Sequence, residues 1–188
     1  MSNFATPPAA TRVWFLFGLS GSGKSFAGDI LARHYNWPVY HADDDITAAM
    51  REALDQARPF TDAMRNEFFS LLADRILQRL AADVPDSAGN GQVPLIVTQG
   101  AYKQKHRDYL MSRIEGLQFV WIDSAIADIQ RRLLLRKAGI SAQSAQALLR
   151  DFEPPTGDCL HLINDGDERR VLSQFQAELQ LTRQGQML

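Results

Sequence analysis

The chain has little of what several classes of protein require. Its 188 residues include one cysteine, Cys159, so no disulfide can form within the chain and a reducing cytoplasm is the expected location. No apolar run approaches the roughly 20 residues of a membrane-spanning helix, and residues 1–11 lack the basic and apolar parts of a signal peptide. The 20 basic and 22 acidic residues form no basic stripe, which argues against nucleic acid as a partner. We therefore expect small-molecule partners and no membrane, with a homodimer left open.

The content of 45% apolar and 22% charged residues is typical of one globular domain, here residues 12–188 after a flexible tail at 1–11. Short apolar runs alternate with helical patterns along this domain. Strands are predicted at 13–17, 37–40, 94–98, 119–122 and 159–163, and helices at 24–36, 46–57, 62–82, 103–114, 125–137, 145–152 and 168–182. Continuously apolar strands favour a parallel sheet covered on both faces. The predicted fold class is α/β, a three-layer α/β/α domain with ligands at the carboxyl ends of the strands.

A glycine-rich segment between the first strand and the first helix matches the phosphate-binding pattern G-x-x-x-x-G-K-S. Its glycines allow a tight turn whose N–H groups point at an anion, and the helix that follows adds the positive end of its dipole. Lys24 is expected to reach the β- and γ-phosphates and Ser25 to bind Mg²⁺. A glycine-rich turn without a ligand is the alternative, and the Lys-Ser pair argues against it. The predicted nucleotide-binding residues are Gly18, Ser20, Gly21, Ser22, Gly23, Lys24, Ser25 and Phe26.

Acidic residues follow the second predicted strand at positions 43, 44 and 45. Phosphoryl transfer to an alcohol needs a carboxylate that accepts the hydroxyl proton or organises the metal, and Asp43 lies where one is expected. The alternative for Asp43 is capping of the next helix. For Asp45 we favour capping or solvent exposure, and Asp44 is left undecided. The third strand ends without such a carboxylate, which favours a small-molecule kinase over a motor or switch ATPase.

Basic residues on two predicted helices are candidates for binding phosphate or an anionic substrate. Arg132 and Arg136 are four positions apart on one helical face, so both can meet one phosphate chain. Their alternative is a solvated basic helix face. Arg65 is expected near an anionic substrate, or in a surface ion pair with Asp62. We assign no role to His106 or His161.

Several segments resemble the gluconate kinase family, the thermoresistant gluconokinases among the shikimate kinase-like P-loop phosphotransferases. They are Leu95-Ile96-Val97 with Ala101-x-Lys103, Arg107-Asp108, Arg132-Leu133-x-x-Arg136, Phe152-Glu153-Pro154-Pro155 and the Pro59-to-Arg65 stretch. The resemblance spans about 13–165. It implies a five-stranded parallel sheet in the order 2-3-1-4-5, ATP with Mg²⁺, a mobile lid at about 136–146, and phosphorylation of a sugar-acid hydroxyl. It also places Arg65 near the substrate.

Departures from the family pattern occur on the acceptor side. His41-Ala42-Asp43 replaces an acidic residue, a glycine and an aspartate, Gln99-Gly100 replaces a cysteine-serine pair, and Lys137 to Ser141 replace a histidine-phenylalanine lid signature. The function implied is an ATP-dependent kinase of a gluconate-like sugar acid. The alternatives are another small polar acceptor, shikimate-like or other, and a nucleotide-binding regulatory protein without turnover. Catalysis is assigned to Lys24, Asp43, Arg132 and Arg136, metal binding to Ser25 and Asp43, and substrate contact to His41, Asp43, Arg65, Gln99, Gly100 and Lys103.

Overall fold

A computed structural model describes residues 11–56, 58–82, 93–135, 151–157 and 159–185. Its centre is a five-stranded parallel sheet in the order β2-β3-β1-β4-β5, which confirms the predicted fold class and strand order. The strands are β1 Val13–Phe17, β2 Val39–His41, β3 Leu95–Thr98, β4 Leu117–Asp123 and β5 Leu160–Ile163. The helices are α1 Lys24–Tyr35, α2 Ala48–Asp55, α3 Asp62–Ala82, α4 Gln104–Arg113, α5 Ile126–Leu135 and α6 Glu168–Gly185, and a 3₁₀ turn spans Ala42–Asp45.

Side chains of β1 alternate between two cores, one on each face of the sheet. Phe15 and Phe17 pack with α3 and α4 on one face, while Trp14 and Leu16 pack with α1 and α6 on the other. All five β1 residues are buried, which a strand covered on both faces requires and which its continuous apolarity predicts. The sheet therefore lies between two helical layers.

The strand register brings the ends of the inner strands to one edge. Leu16 of β1 lies opposite Thr98 of β3 and Val120 of β4, and Thr98 in turn lies opposite His41 of β2. The chain leaves β1, β2 and β3 at the same edge as a result. The segments 18–23, 42–45 and 99–103 are thus neighbours although they are far apart in sequence.

Some predicted boundaries need correction. The predicted helix at 46–57 is shorter and is preceded by the 3₁₀ turn, because the Thr47 side chain accepts the Met50 N–H at 3.2 Å and starts α2 there. Asp151 and Phe152, predicted as the end of a helix, are not helical. Of the expected tail, Thr11 is described and buried. The rest of the tail, the expected lid at 136–146 and Arg136 lie outside the described residues.

Among the described residues, no helix is both long enough and apolar enough to cross a membrane.

Candidate active site

The loop between β1 and α1 has the geometry of an anion cradle. Gly21 and Gly23 have φ angles of 87° and 90°, and α1 starts at Lys24 with no side chain capping its first turn. The N–H groups of that turn have no acceptor within the helix and are available to phosphate oxygens. A Cβ at Gly23 would lie 2.0 Å from Nδ2 of Asn164, so the close approach of these residues requires glycine.

Lys24 lies folded back over this loop. The side chain is buried, and its Nζ donates hydrogen bonds to the carbonyl oxygens of Gly18 at 3.3 Å and Leu19 at 3.1 Å. These carbonyls hold the ammonium group directly above the loop. It is thus placed beside any anion that the loop amides bind.

Arg132 of α5 is bonded to the phosphate loop from the opposite side. Its guanidinium donates to the carbonyl oxygens of Gly21 at 3.2 Å and Ser22 at 3.3 Å, to the Ser124 hydroxyl at 2.9 Å and to the Asn164 carbonyl at 3.2 Å. Arg132 is therefore part of the loop's wall, and the alternative of a solvated charge is wrong for this residue.

A cavity of about 380 Å³ opens over the phosphate loop. It combines most of the predicted nucleotide-binding residues with residues that follow β2 and β5 and with Arg132 of α5. Its lining residues are Ser20, Gly21, Gly23, Lys24, Ser25, Phe26, Asp43, Arg132, Asn164 and Gly166. Ser22, predicted with the others, is almost fully buried behind the loop.

A second cavity of about 520 Å³ lies beside the first, between the loop and helices α2, α3 and α4. Ser20, Lys24 and Asp43 line both cavities. The larger cavity is also lined by the predicted substrate residues Arg65, Gln99, Gly100 and Lys103, together with Asp44, Ile46, Met50, Arg51, Leu54, Asp55, Phe60, Phe68, Phe69, Tyr102 and His106. The two cavities therefore meet at three polar residues, and we name the larger one the acceptor cavity because four predicted substrate residues line it without lining the smaller one.

The three consecutive aspartates have different surroundings. Asp43 and Asp44 are exposed, and Asp43 makes no hydrogen bond or ion pair with another described residue. Since Thr47 caps α2, Asp43 does not cap that helix. Asp45, expected as a cap or in solvent, instead pairs with Arg75 and accepts the Tyr40 hydroxyl at 2.6 Å. These partners, Arg75 first, lower the pKa of Asp45.

Two cations at the acceptor cavity are accompanied by carboxylates. Arg65 is buried, forms a close ion pair with Asp151 and has Asp62 at 3.7 Å. Lys103 lies 3.3 Å from Glu153 and 3.8 Å from Asp151. Both proposed roles of Arg65 are thus compatible with its position, because the guanidinium pairs with Asp62 and also lines the cavity.

His41 lies elsewhere than expected. The sequence assigned it to the substrate, but its ring nitrogens contact the Thr98 hydroxyl at 2.8 Å and Asp29 at 3.0 Å. It is absent from the lining of both cavities, because β2 continues to His41 and directs this side chain toward α1. Gln99, by contrast, is buried in the acceptor wall and accepts the Gly100 N–H through its own side chain.

Several residues that line the cavities were not predicted from the sequence. Asn164 follows β5 directly. It could have been predicted from the rule that ligands lie beyond the carboxyl ends of parallel strands. Tyr102 lies in the segment between β3 and α4, where the same rule applies. His106 carried no signal, because its place in the cavity depends on how α4 packs against α3.

Solved structures of small-molecule kinases share this fold. A gluconokinase from Sinorhizobium meliloti 1021 superposes with a TM-score of 0.75 at 20% identity, covering 96% of this chain and 98% of that chain. A shikimate kinase from Bacteroides thetaiotaomicron gives 0.54 at 17% identity, covering 92% and 98%. The sheet order and the loop at 18–25 thus give this chain the P-loop kinase fold.

Within that class, the sequence is similar to gluconokinases. It is 27% identical over 175 residues to the gluconokinase of Gluconobacter oxydans (strain 621H), covering 89% of this chain and 93% of that protein. It is 32% identical over 102 residues to a probable gluconokinase of Mus musculus, covering 54% of this chain and 50% of that protein. No family model matches the chain. The predicted resemblance to the gluconate kinase family is confirmed by these relatives, and with it the prediction of a phosphotransferase.

Proposed function

We propose that this protein is an ATP-dependent kinase that transfers the γ-phosphoryl group to a hydroxyl of a sugar acid, with gluconate as the first candidate. The observation that carries the proposal is the junction of the two cavities at Ser20, Lys24 and Asp43. A phosphoryl donor in one cavity and an alcohol in the other would meet at this junction. The similarity to gluconokinases supports the choice of acceptor.

The phosphate loop fits ATP. Uncapped N–H groups at the start of α1 and the buried ammonium of Lys24 supply donors and positive charge for the β- and γ-phosphates. Ser25 and Asp43 line the same cavity and would hold Mg²⁺ together with the phosphate oxygens, a ligand set that this ion prefers. Bound Mg²⁺ would neutralise charge on the phosphates.

Asp43 is the group we assign to the acceptor hydroxyl. Its exposed carboxylate has no bonded partner among the described residues and lines both cavities. As the acceptor oxygen forms its bond to the γ-phosphorus and the bond to the β,γ-bridging oxygen breaks, Asp43 takes the hydroxyl proton and ADP leaves. Lys24 stabilises charge on the phosphoryl oxygens through the transfer.

Arg65 and Lys103 are the groups we assign to the carboxylate of the acceptor. Both line the acceptor cavity and project from elements on its far wall, α3 and the start of α4. An arginine matches a carboxylate with two parallel hydrogen bonds, and a lysine adds a point charge. Binding the acid there would leave the hydroxyl end of the acceptor free to approach Asp43.

The test is acceptor-dependent release of ADP from ATP, with gluconate, other sugar acids, shikimate and the neutral polyol sorbitol as acceptors. We expect turnover with gluconate to exceed that with sorbitol, and a loss of at least 100-fold in kcat/KM for both Lys24→Ala and Asp43→Asn, on the scale of a lost charge-stabilising donor or an essential base. Asp74→Asn is the control for Asp43, because it changes an exposed carboxylate on α3 that lines neither cavity.

A second candidate, a nucleotide-binding regulatory protein without turnover, is favoured by one observation. The acceptor cations are already accompanied by Asp62, Asp151 and Glu153. ATP binding with no acceptor-dependent release above the Lys24→Ala background would favour this candidate and overturn the kinase. We further infer a cytoplasmic location, supported by the single cysteine; the homodimer stays a prediction.

A further inference from the structure

Tyr102 joins the acceptor wall to the phosphate loop. Its hydroxyl oxygen accepts the backbone N–H of Ser20 at 2.7 Å. Ser20 lines both cavities and Tyr102 lines the acceptor cavity. The hydroxyl is therefore bonded to a residue at which the two cavities meet, and Lys24 and Asp43 line the acceptor cavity together with Tyr102.

The ring of Tyr102 is held in place from several sides. The ring packs edge-on against Phe152 with ring centroids 5.7 Å apart. The backbone carbonyl of Tyr102 accepts the Glu153 N–H at 2.8 Å. A Cβ at Gly100 would lie 2.8 Å from the ring, so the glycine makes room for the aromatic side chain. The hydroxyl thus has a fixed position before any ligand binds.

The proton of this hydroxyl is available to a ligand. A tyrosine hydroxyl has one donor, and its oxygen already accepts the Ser20 N–H. Within the described part of the chain, no acceptor takes the proton. Burial, together with the negative charges of Asp43 and Asp151, raises the pKa of Tyr102, so the group remains a donor at neutral pH.

We propose that the Tyr102 hydroxyl donates a hydrogen bond to an oxygen of the γ-phosphoryl group during its transfer. The inference rests on the proposed kinase function and adds a catalytic residue to it. Lys24, the loop amides and this neutral donor together stabilise the negative charge on the phosphoryl oxygens. The Tyr102 hydroxyl needs no reorganisation to do so, because its ring is already packed. No proton leaves Tyr102 in the reaction, since Asp43 receives the proton of the acceptor.

The test compares Tyr102→Phe with Tyr109→Phe. Each change removes one hydroxyl, and Tyr109 is a half-buried tyrosine on α4 outside both cavities. For Tyr102→Phe we expect kcat to fall about 100-fold, the lower end of the effect of losing one preorganised donor. ADP affinity should stay close to that of the wild type, and Tm should be a few degrees lower because the Ser20 N–H loses its acceptor. Tyr109→Phe should match the wild type in kcat.

A binding measurement without turnover completes the test. ADP with aluminium fluoride imitates the phosphoryl group in transfer, and its affinity relative to ADP alone should be about tenfold lower in Tyr102→Phe than in the wild type. Equal affinity ratios and an unchanged kcat would overturn the role of Tyr102. So would a loss of ADP affinity as large as the loss of kcat, because the hydroxyl would then only shape the loop. If the wild type shows no acceptor-dependent turnover, the proposed function fails, and the fluoride comparison still decides the role of Tyr102.

Discussion

His106, which lines the acceptor cavity, has an altered pKa because it is buried. The His106 side chain is 3% exposed, stacks on Phe69 with ring centroids 4.5 Å apart, and places Nε2 3.0 Å from the Asn66 side-chain oxygen. Loss of hydration on burial, and then the positive charges of Lys105 and Arg65, lower the pKa of His106 to about 4. The ring is therefore neutral in the folded protein at neutral pH.

This histidine makes the stability of the protein depend on pH. Its pKa is lower in the folded state than the ordinary 6.5, so protons bind preferentially to the unfolded chain as the pH falls from about 6.5 to about 4. Stability is fully present above this window and declines within it. Between pH 7 and 5, we expect the free energy of unfolding to fall by about 2 kcal/mol more in the wild type than in His106→Gln.

Urea unfolding at both pH values measures this difference. His161→Gln is the control for removing a histidine, because His161 lies on β5 with its side chain 45% exposed. Parallel curves for the wild type and His106→Gln would contradict the prediction.

For single residues, a position directly after a predicted strand was the feature that identified several cavity residues in the sequence. Asp43, Gln99, Gly100 and Lys103 follow strands, and they line the acceptor cavity. His41 also follows β2 in the sequence pattern, yet hydrogen bonds to Thr98 and Asp29 hold it away from the cavity. Such partners come from distant parts of the chain, so spacing within one segment does not reveal them.

Among the structural elements, the segment 151–157 is bonded to the connection between β3 and α4, and a buried arginine makes several of these bonds. Arg107 of α4 is 1% exposed and donates to the carbonyl oxygens of Ala101 at 2.7 Å and Glu153 at 2.8 Å and to the Gln104 side chain at 2.7 Å. Its guanidinium also lies 5.0 Å from the centre of the Phe17 ring. These hydrogen bonds, together with the negative charges of Glu153 and Asp108, offset the loss of hydration.

We expect Arg107→Met to lower the free energy of unfolding by about 3 kcal/mol, because carbonyl groups at both elements lose a buried donor. Arg113→Met on the same helix is the matched control. Arg113 is 45% exposed and pairs with Asp74 at 3.0 Å, and an exposed pair contributes at most about 1 kcal/mol. Urea denaturation of both variants measures the difference, and equal losses would show that Arg107 does not stabilise this junction.

The element boundaries show what local patterns predict. The limits of α3, Asp62–Ala82, were predicted as observed, because Phe69, Leu72, Ile76 and Leu80 repeat over several helical turns. The start of α2 was predicted two residues too early, because Thr47 caps the helix and a 3₁₀ turn precedes it. Periodicity identifies a long buried face, and it does not locate the residue at which a short helix begins.

In the whole molecule, the central position of β1 in the sheet determines where the two halves of the site lie. Acceptor residues come from the side of β2 and β3, and Arg132 and Asn164 come from the side of β4 and β5. The phosphate loop lies between these halves. A nucleotide bound to the loop would therefore contact both halves of the sheet and stabilise the folded state.

We expect ATP at 100 times its Kd to raise the free energy of unfolding by about 2.7 kcal/mol in the wild type. Gly23→Ala should lose this effect, because the added methyl group would collide with Asn164 at a φ of 90°. Gly157→Ala is the control, since a Cβ there meets nothing within 4 Å. Thermal or urea unfolding with and without ATP measures the effect, and full stabilisation of Gly23→Ala would contradict this account of the loop.

The α/β class, the phosphate loop and the main buried helix could all be predicted from the sequence alone, because each depends on residues that are adjacent or periodic along the chain. The packed structure was needed to show that Asp43 has no bonded partner among the described residues, that Asp45 pairs with Arg75, and that Tyr102 contacts Ser20. Those contacts join residues brought together by the packing of separate strands and helices. Side-chain partners that are distant in sequence leave no local pattern, so the sequence does not reveal them.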